Sequence, residues 1–170
     1  FSSGVAVTPD GKRLVVSSVH EPRALVYDVD EQGASYGALL ADVDLGAAEA
    51  FGVWIDPWDD KGDRAYVSMW ASREVVEIDR DASPPKIAAR YPTAKNPQGL
   101  AFLDPRWMVV ANDFGDTLSL VDRATGAATE IPIDASTELH ALGSMKKLMK
   151  LSGLTSLNST LSPSFSAAAL

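Results

Sequence analysis

The chain has 170 residues, of which 46% are hydrophobic, with a formal net charge of −8 at pH 7 and no cysteine. This composition allows one domain with a packed core, and it excludes disulfides, thiolate metal sites and a catalytic cysteine. The acidic balance argues against a nucleic-acid ligand, because such proteins use a basic surface to displace counterions from phosphates. No apolar run is long enough to span a membrane as a helix.

The first part of the chain, 1–46, predicts four short strands. They are expected near 4–8, 13–19, 23–29 and 36–45. The sequence Thr8-Pro-Asp-Gly11 predicts a tight turn after the first strand, because proline presets φ and glycine accepts a positive φ. Leu14, Val15 and Val16 form a continuous apolar run. Such a run predicts that the second strand is covered on both faces.

The second part, 47–95, repeats this pattern with a longer loop after its first strand. The strands are expected near 51–55, 64–70, 73–79 and 86–91. The loop carries four carboxylates, from Asp56, Asp59, Asp60 and Asp63. Closely spaced carboxylates can hold calcium, but their spacing does not match the EF-hand series. A solvated turn explains the same residues.

The third part, 96–134, predicts strands near 99–103, 106–112, 116–122 and 127–133. Glycines open all three parts: Gly52 follows Gly4 after 48 residues, and Gly99 follows Gly52 after 47. Repeats of this length, each with four short strands, are typical of consecutive β-propeller blades. The sequence therefore predicts an all-β propeller fragment of about three four-stranded blades, approximately 1–46, 47–95 and 96–134.

The tail, 135–170, departs from the repeat. Leucines and methionines recur at helical spacing over 137–150, and Ser136 is a plausible N-cap. Residues 151–170 carry no charge and are rich in Ser, Leu and Ala. We therefore expect a helical or disordered C-terminal tail, with a helix near 137–150 followed by a low-complexity segment.

The three parts resemble the YVTN family of β-propeller repeats over about 1–134. The residues that carry the resemblance are Gly4-Val-Ala-Val-Thr-Pro-Asp-Gly11, Ala65-Tyr-Val-Ser68, Asn96-Pro-Gln-Gly-Leu-Ala101 and Leu120-Val-Asp-Arg-Ala-Thr-Gly126. The resemblance implies a non-enzymatic scaffold that presents loops to a protein or small ligand. The absence of cysteine leaves the compartment open, and the resemblance favours a periplasmic or secreted location.

The alternative is a lactonase-like, metal-dependent hydrolase of the gluconolactonase type. In such propellers a metal is held by Glu, Asn and Asp side chains from several blades. The resemblance implies that a divalent metal would use Asn112 and Asp113, with Glu49 or Glu21. The other interpretation of Asn112 and Asp113 is a side-chain-capped turn before Gly115.

Three residues are candidates for ligand binding: Trp70, His20 and Asn112. Trp70 lies at a predicted strand end, where an indole can stack on a flat ligand or pack between blades. His20 lies in the loop between two predicted strands, where it contacts either a ligand or solvent alone. No cofactor other than a divalent metal is indicated.

The number of predicted blades bears on assembly. A propeller closes with typically 4–8 blades, whereas the sequence predicts about three. The terminal blades would then present unpaired faces and edges. We therefore expect either a fragment of a longer protein or self-association through the open blade faces.

Overall fold

The computed structural model describes residues 2–46 and 49–133, and every regular element in these ranges is a β-strand. The strands are β1 (Ser2–Val7), β2 (Arg13–Ser18), β3 (Arg23–Asp28), β4 (Leu39–Asp44), β5 (Ala50–Ile55), β6 (Arg64–Met69), β7 (Glu74–Asp79), β8 (Lys86–Pro92), β9 (Pro97–Phe102), β10 (Trp107–Asn112), β11 (Thr117–Asp122) and β12 (Ala128–Pro132). The tail expected over 135–170 lies outside the described residues. No helix found in the described part of the chain has the length and apolarity needed to traverse a bilayer.

The strands form three antiparallel sheets, each built from four strands that are consecutive in the chain. The sheet orders are β1-β2-β3-β4, β5-β6-β7-β8 and β9-β10-β11-β12. The prediction of three four-stranded blades is thereby confirmed. Every connection within a sheet is a hairpin, so the strand pairings within each sheet join segments that are close in sequence.

The two ends of the sheets differ in which connections they carry. One end, here called the hairpin end, carries the four-residue loops 19–22, 70–73 and 113–116, which join the second and third strands of each sheet. The chain also passes from sheet to sheet at this end, between β4 and β5 and between β8 and β9. The opposite end, here called the turn end, carries the remaining turns within each sheet.

The sheets pack face to face through their first strands. β1 contacts β5, and β5 and β6 contact β9. One buried cluster lies between the first and second sheets and includes Val15, Val26, Val67 and Ile78. The packing of successive four-stranded sheets through their first strands is that of consecutive β-propeller blades.

Burial depends on the position of each sheet in this series. In the middle sheet, the β6 residues from Ala65 to Met69 are all buried, because a neighbouring sheet covers each face. In β2, Val15 is fully buried but Leu14 and Val16 are only partly buried. The prediction that β2 is covered on both faces is therefore wrong, since the first sheet contacts one neighbour within the described residues.

The first and second sheets approach closely at Gly4. A Cβ placed on Gly4 would lie 2.6 Å from the Phe51 carbonyl oxygen and 2.7 Å from the Val53 nitrogen. The Gly4 N–H donates to Ser17 Oγ at 3.0 Å, and Ser17 Oγ donates to the Phe51 carbonyl at 2.8 Å. Gly4 of β1 and the Ser17 hydroxyl of β2 therefore connect these two strands to β5.

An arginine–aspartate pair recurs at the turn end of every sheet. The acid that ends each third strand pairs with an arginine at the start of the second: Arg13 with Asp28 at 3.0 Å, Arg64 with Asp79 at 3.0 Å, and Arg106 with Asp122 at 2.6 Å. Each of these carboxylates also accepts a backbone N–H two residues later in the chain. The acids at the end of each third strand therefore have a structural role in closing that strand.

Candidate binding site at the hairpin end

The structure places the three candidate ligand-binding residues, Trp70, His20 and Asn112, and the metal candidate Asp113 at the hairpin end. His20 lies in the first hairpin loop and Trp70 begins the second. Asn112 is the last residue of β10, and Asp113 begins the third loop. The three loops have equal length, so corresponding positions of neighbouring blades present these side chains at one end of the structure.

Three aromatic rings form a continuous surface across two blades at this end. Phe51 stacks on Trp70, with ring centroids 5.0 Å apart and planes 10° apart. Phe114 from the third sheet meets Trp70 edge to face, with centroids 6.3 Å apart. We call Phe51, Trp70 and Phe114 the aromatic surface. Phe114 is 75% exposed, whereas Phe51 and Trp70 are partly buried, so the third sheet supplies the outermost ring.

His20 of the first sheet corresponds to Phe114 of the third sheet. The hairpin registers place the two residues at the same position of their loops. Its side chain is exposed. The hairpin end therefore presents an imidazole from the first blade and a phenyl ring from the third.

Backbone strain is concentrated around the aromatic surface. Arg73, Asn96, Phe114 and Asp116 have φ of 56°, 59°, 58° and 45°, and all four lie at the hairpin end. At the turn end, positive φ values fall on Gly11, Gly37, Gly62 and Gly126. A positive φ costs a residue with a side chain about 1–2 kcal/mol, whereas glycine avoids this cost. Strain of this kind tends to accumulate at functional sites.

The Asn112 amide is buried and cross-links its hairpin. Its Nδ2 donates to the Thr117 carbonyl and Oγ1, each at 3.2 Å, and to Ser119 Oγ at 3.0 Å. The interpretation of Asn112 as a turn cap is consistent with these contacts. Its Oδ1, like Nε1 of Trp70, is buried and has no hydrogen-bond partner among the described residues. Two unpaired polar atoms therefore lie beneath neighbouring hairpins of the second and third sheets.

The residues named for a divalent metal also lie at the hairpin end. Asp113 is partly exposed, and Glu21 and Glu49 are exposed. Over 2–46 and 49–133, no three His, Cys, Asp or Glu side chains are grouped so that they could hold a metal ion. A metal site at Asn112 and Asp113 stays a prediction.

The acidic loop 56–63 lies at the turn end, and two of its carboxylates bind protein groups. Asp56 pairs with Arg123 of the third sheet and accepts the Trp58 N–H at 2.9 Å. Asp59 accepts the Arg64 N–H at 2.8 Å. These contacts organise the loop and join the second and third blades.

Two clefts open at the turn end. One, of about 490 Å³, lies between the first two sheets and has both acids and bases in its wall, including Asp10, Arg13 and Arg80. The other, of about 370 Å³, lies between the second and third sheets and is lined by Glu77, Tyr91, Pro105, Arg106, Arg123 and Ala124. In the second cleft the Tyr91 hydroxyl donates to Glu77 at 2.5 Å. Burial raises the pKa of the Tyr91 phenol above its ordinary value.

Sequence reasoning missed Phe51 and Phe114. Phe114 stands before Gly115 in a short polar loop, a position where a large aromatic residue is unusual. Phe51 stands before Gly52 at the start of a strand, and no local pattern indicates that its ring reaches Trp70.

No protein-family model and no curated protein matches the sequence. Solved structures show the fold. Hydrazine synthase from Kuenenia stuttgartiensis aligns at 20% identity with a TM-score of 0.59, covering 76% of this chain and 36% of that one. A functionally unknown protein from Desulfotomaculum acetoxidans aligns at 14% identity with a TM-score of 0.61, over 78% and 43% of the two chains.

A third similar structure is described as a β-propeller domain. The β-propeller domain of Cps50 (Swd1) from Myceliophteria thermophila aligns at 11% identity with a TM-score of 0.61, over 77% of this chain and 43% of that one. The chain thus spans less than half the length of the structures that it matches. At these identities the likeness shows the β-propeller fold alone.

Proposed function

We propose that this chain is a β-propeller scaffold that binds a protein partner at its hairpin end. The observation that carries the proposal is Phe114, a ring that is 75% exposed at a φ of 58° and rests on Trp70. When a partner buries an exposed aromatic side chain, the free energy of the complex falls by roughly 25 cal/mol for each Å² of apolar surface removed from water.

Phe114 combines a strained backbone with an exposed ring. Left-handed backbone at Phe114 costs about 1–2 kcal/mol, and its exposed ring recovers little of that by burial in this chain. A partner that covers the ring supplies the missing burial. Aromatic anchors that lie on a well-packed base, as Phe114 lies on Trp70, are typical of the energetic centres of protein interfaces.

The chemistry of the surface indicates which groups a partner would offer. The rings of Phe51, Trp70 and Phe114 favour an aliphatic or aromatic side chain. Asp116 and Glu49, both exposed at the same end, favour a basic residue beside it. We infer a partner segment with an apolar residue flanked by Lys or Arg.

The repeat type forms part of the proposal. Gly4-Val-Ala-Val-Thr-Pro-Asp-Gly11 and Leu120-Val-Asp-Arg-Ala-Thr-Gly126 support assignment of the blades to the YVTN type. The three fold-level likenesses support the propeller at the coarser level.

The test selects peptides from a phage-displayed library on the immobilised chain and measures their affinity for variants. We expect selected peptides to carry an apolar residue next to Lys or Arg and to lose at least about tenfold in affinity for Phe114→Asn. Trp58→Ser is the matched control, because Trp58 is an aromatic residue 55% exposed at the turn end. Peptides that bind Phe114→Asn as tightly as the unaltered chain would overturn the proposal.

The alternative, a metal-dependent hydrolase of the lactonase type, is supported by one observation. Asn112 Oδ1 is buried without a partner, and amide oxygens are suitable ligands for hard cations. Under this alternative, calcium or zinc raises the melting temperature of the chain, and Asn112→Ala abolishes the increase. An unchanged melting temperature with both metals contradicts it.

A further inference from the structure

The outer sheets each present one face that no other described sheet covers. The face of the first sheet, here called the Val5 face, consists of Val5, Val7, Leu14, Val16, Leu25 and Tyr27, which the strand registers place on one side. The face of the third sheet, here called the Ala101 face, consists of Gly99, Ala101, Val109, Ala111, Leu118 and Leu120, of which Leu120 is already buried. Both faces are apolar, and they lie at opposite ends of the series of blades.

The Val5 face repeats a surface that is buried elsewhere in the molecule. Val5 follows Gly4 as Val53 follows Gly52, so the two valines hold the same repeat position. Val53 is 7% exposed because the first sheet packs against it, whereas Val5 is 63% exposed. The Val5 face therefore has the composition of a blade-packing surface, and no sheet among the described residues covers it.

The Ala101 face repeats the other side of the same interface. Gly99 and Ala101 hold the repeat positions of Gly4 and Ala6, which lie against the second sheet. A Cβ on Gly4 would collide with the backbone of β5. Among the described residues, a Cβ on Gly99 would have one heavy atom within 4 Å, the Ala111 Cβ at 3.6 Å, so no described strand fills the space beside it.

We propose that the Val5 face of one copy of this chain packs on the Ala101 face of a second copy. The contact would reproduce between copies the interface that joins the first and second sheets within one copy. A second copy is the occupant that the structure supports, because the chain itself carries both halves of this interface.

The difference between the two faces determines which assembly the contact produces. The two faces differ, so the contact is heterologous, and such contacts generate closed rings when the rotation closes. Two copies joined by two such contacts contribute six blades, which is within the range of 4–8 that closes a propeller. Burial of exposed apolar side chains, among them Val5 and Val7, drives the association.

The experiment uses the full 170-residue chain in sedimentation velocity over a range of concentrations. We expect a two-copy species that dissociates on dilution. Val5→Glu and Ala101→Arg should each weaken the association by at least about tenfold, because each places an unpaired charge in the contact. Trp58→Glu, which alters a residue 55% exposed in the loop between β5 and β6 of the middle sheet, should leave the association unchanged.

A mixture of the two charged variants tests whether the Val5 face of one copy contacts the Ala101 face of the other. Val5→Glu mixed with Ala101→Arg should recover the two-copy species, because one contact is then a Glu–Arg pair and the other has neither substitution. Far-ultraviolet circular dichroism checks that each variant folds, and Val7→Glu replaces Val5→Glu if that variant does not.

Three results would overturn the proposal. One is an unaltered chain that stays monomeric at every concentration, which would indicate that these faces take other blades. Another is association that Ala101→Arg leaves intact. The third is a mixture of the two variants that stays monomeric.

Discussion

The guanidinium carbon of Arg123 lies 5.0 Å from the ring centroid of Tyr66, and Nη2 of the same side chain donates to the Tyr66 hydroxyl at 2.6 Å. Arg123 belongs to the third sheet and Tyr66 to the second. The guanidinium also lies 5.3 Å from the Phe102 ring and pairs with Asp56. Burial raises the pKa of the Tyr66 phenol above its ordinary value. One side chain thus joins two blades by charge, hydrogen bonding and ring stacking.

Arg123→Ala is expected to destabilise the fold by about 3 kcal/mol, because it leaves the Asp56 carboxylate buried without its cation. Asp56 and Arg123 side chains are 5% and 12% exposed, so water cannot replace the lost partner. Urea unfolding followed by tryptophan fluorescence measures the change. Arg106→Ala is the control, since Arg106 is 57% exposed, and a smaller loss is expected there. Equal losses in the two variants would contradict the central role of Arg123.

Gly4→Ala is expected to lower the free energy of unfolding by about 1–3 kcal/mol, as overpacking does in other cores. The added methyl would lie 2.6 Å from the Phe51 carbonyl oxygen, and a backbone atom cannot move aside cheaply. Thermal unfolding by differential scanning calorimetry provides the measurement. Gly99→Ala is the matched control at the same repeat position, where the nearest atom would be 3.6 Å away. If Gly99→Ala is the more damaging change, the close approach at Gly4 is not the reason for the glycine.

Asp122 is expected to make stability dependent on pH in acid. The hydrogen-bonded pair with Arg106 holds the pKa of the Asp122 carboxyl well below its ordinary value. A carboxyl with a depressed folded-state pKa stabilises the fold above the unfolded pKa of about 4, and this contribution disappears as the pH falls through the folded pKa. Asp122→Asn should therefore cost stability at pH 7 and cost progressively less below pH ~4.

Urea midpoints between pH 7 and pH 2 measure this difference for Asp122. In an Arg106→Ala background the pH dependence of the Asp122→Asn effect should diminish, because the principal cause of the pKa shift is gone. A difference that stays constant across this range would contradict the assignment.

Phe114→Asn is expected to leave the fold as stable as before or more stable by up to about 1 kcal/mol. Asparagine adopts the left-handed backbone more readily than phenylalanine, whose φ is 58° here. The exposed ring contributes little burial that the substitution could remove. Chemical unfolding provides the measurement, and Phe114→Ala, which keeps the strain, should show no gain. A loss of more than about 2 kcal/mol would show that Phe114 is a core residue.

Much of the fold could be predicted from local patterns. The strand that was expected to begin near 64 begins at Arg64, and the strand expected near 23–29 spans Arg23–Asp28. The fourth strand was expected from 36 but begins at Leu39. There the Gly37 N–H donates to the Asp28 carbonyl at 2.8 Å, and Ser35 donates to the Asp28 carboxylate. These contacts extend the loop, and strand propensity does not reveal them.

The candidate site was predictable in position but not in composition. Trp70 and Asn112 follow apolar runs, so their location at strand ends could be inferred from the sequence. The contact between Trp70 and Phe114 joins two blades, and its geometry depends on the rotation of one sheet relative to the next. No period in the sequence encodes that rotation.

The sequence by itself determined the repeated unit, its four strands and the end of each blade at which a given loop lies. These features depend on alternation, turn residues and neighbours a few positions away. Tertiary structure alone decided that Arg123 reaches Tyr66, 57 positions earlier in the chain, and that three aromatic rings form one surface. Contacts between sheets depend on side-chain volume and on the angle between packed faces, which are properties of the assembled blades and not of any short segment.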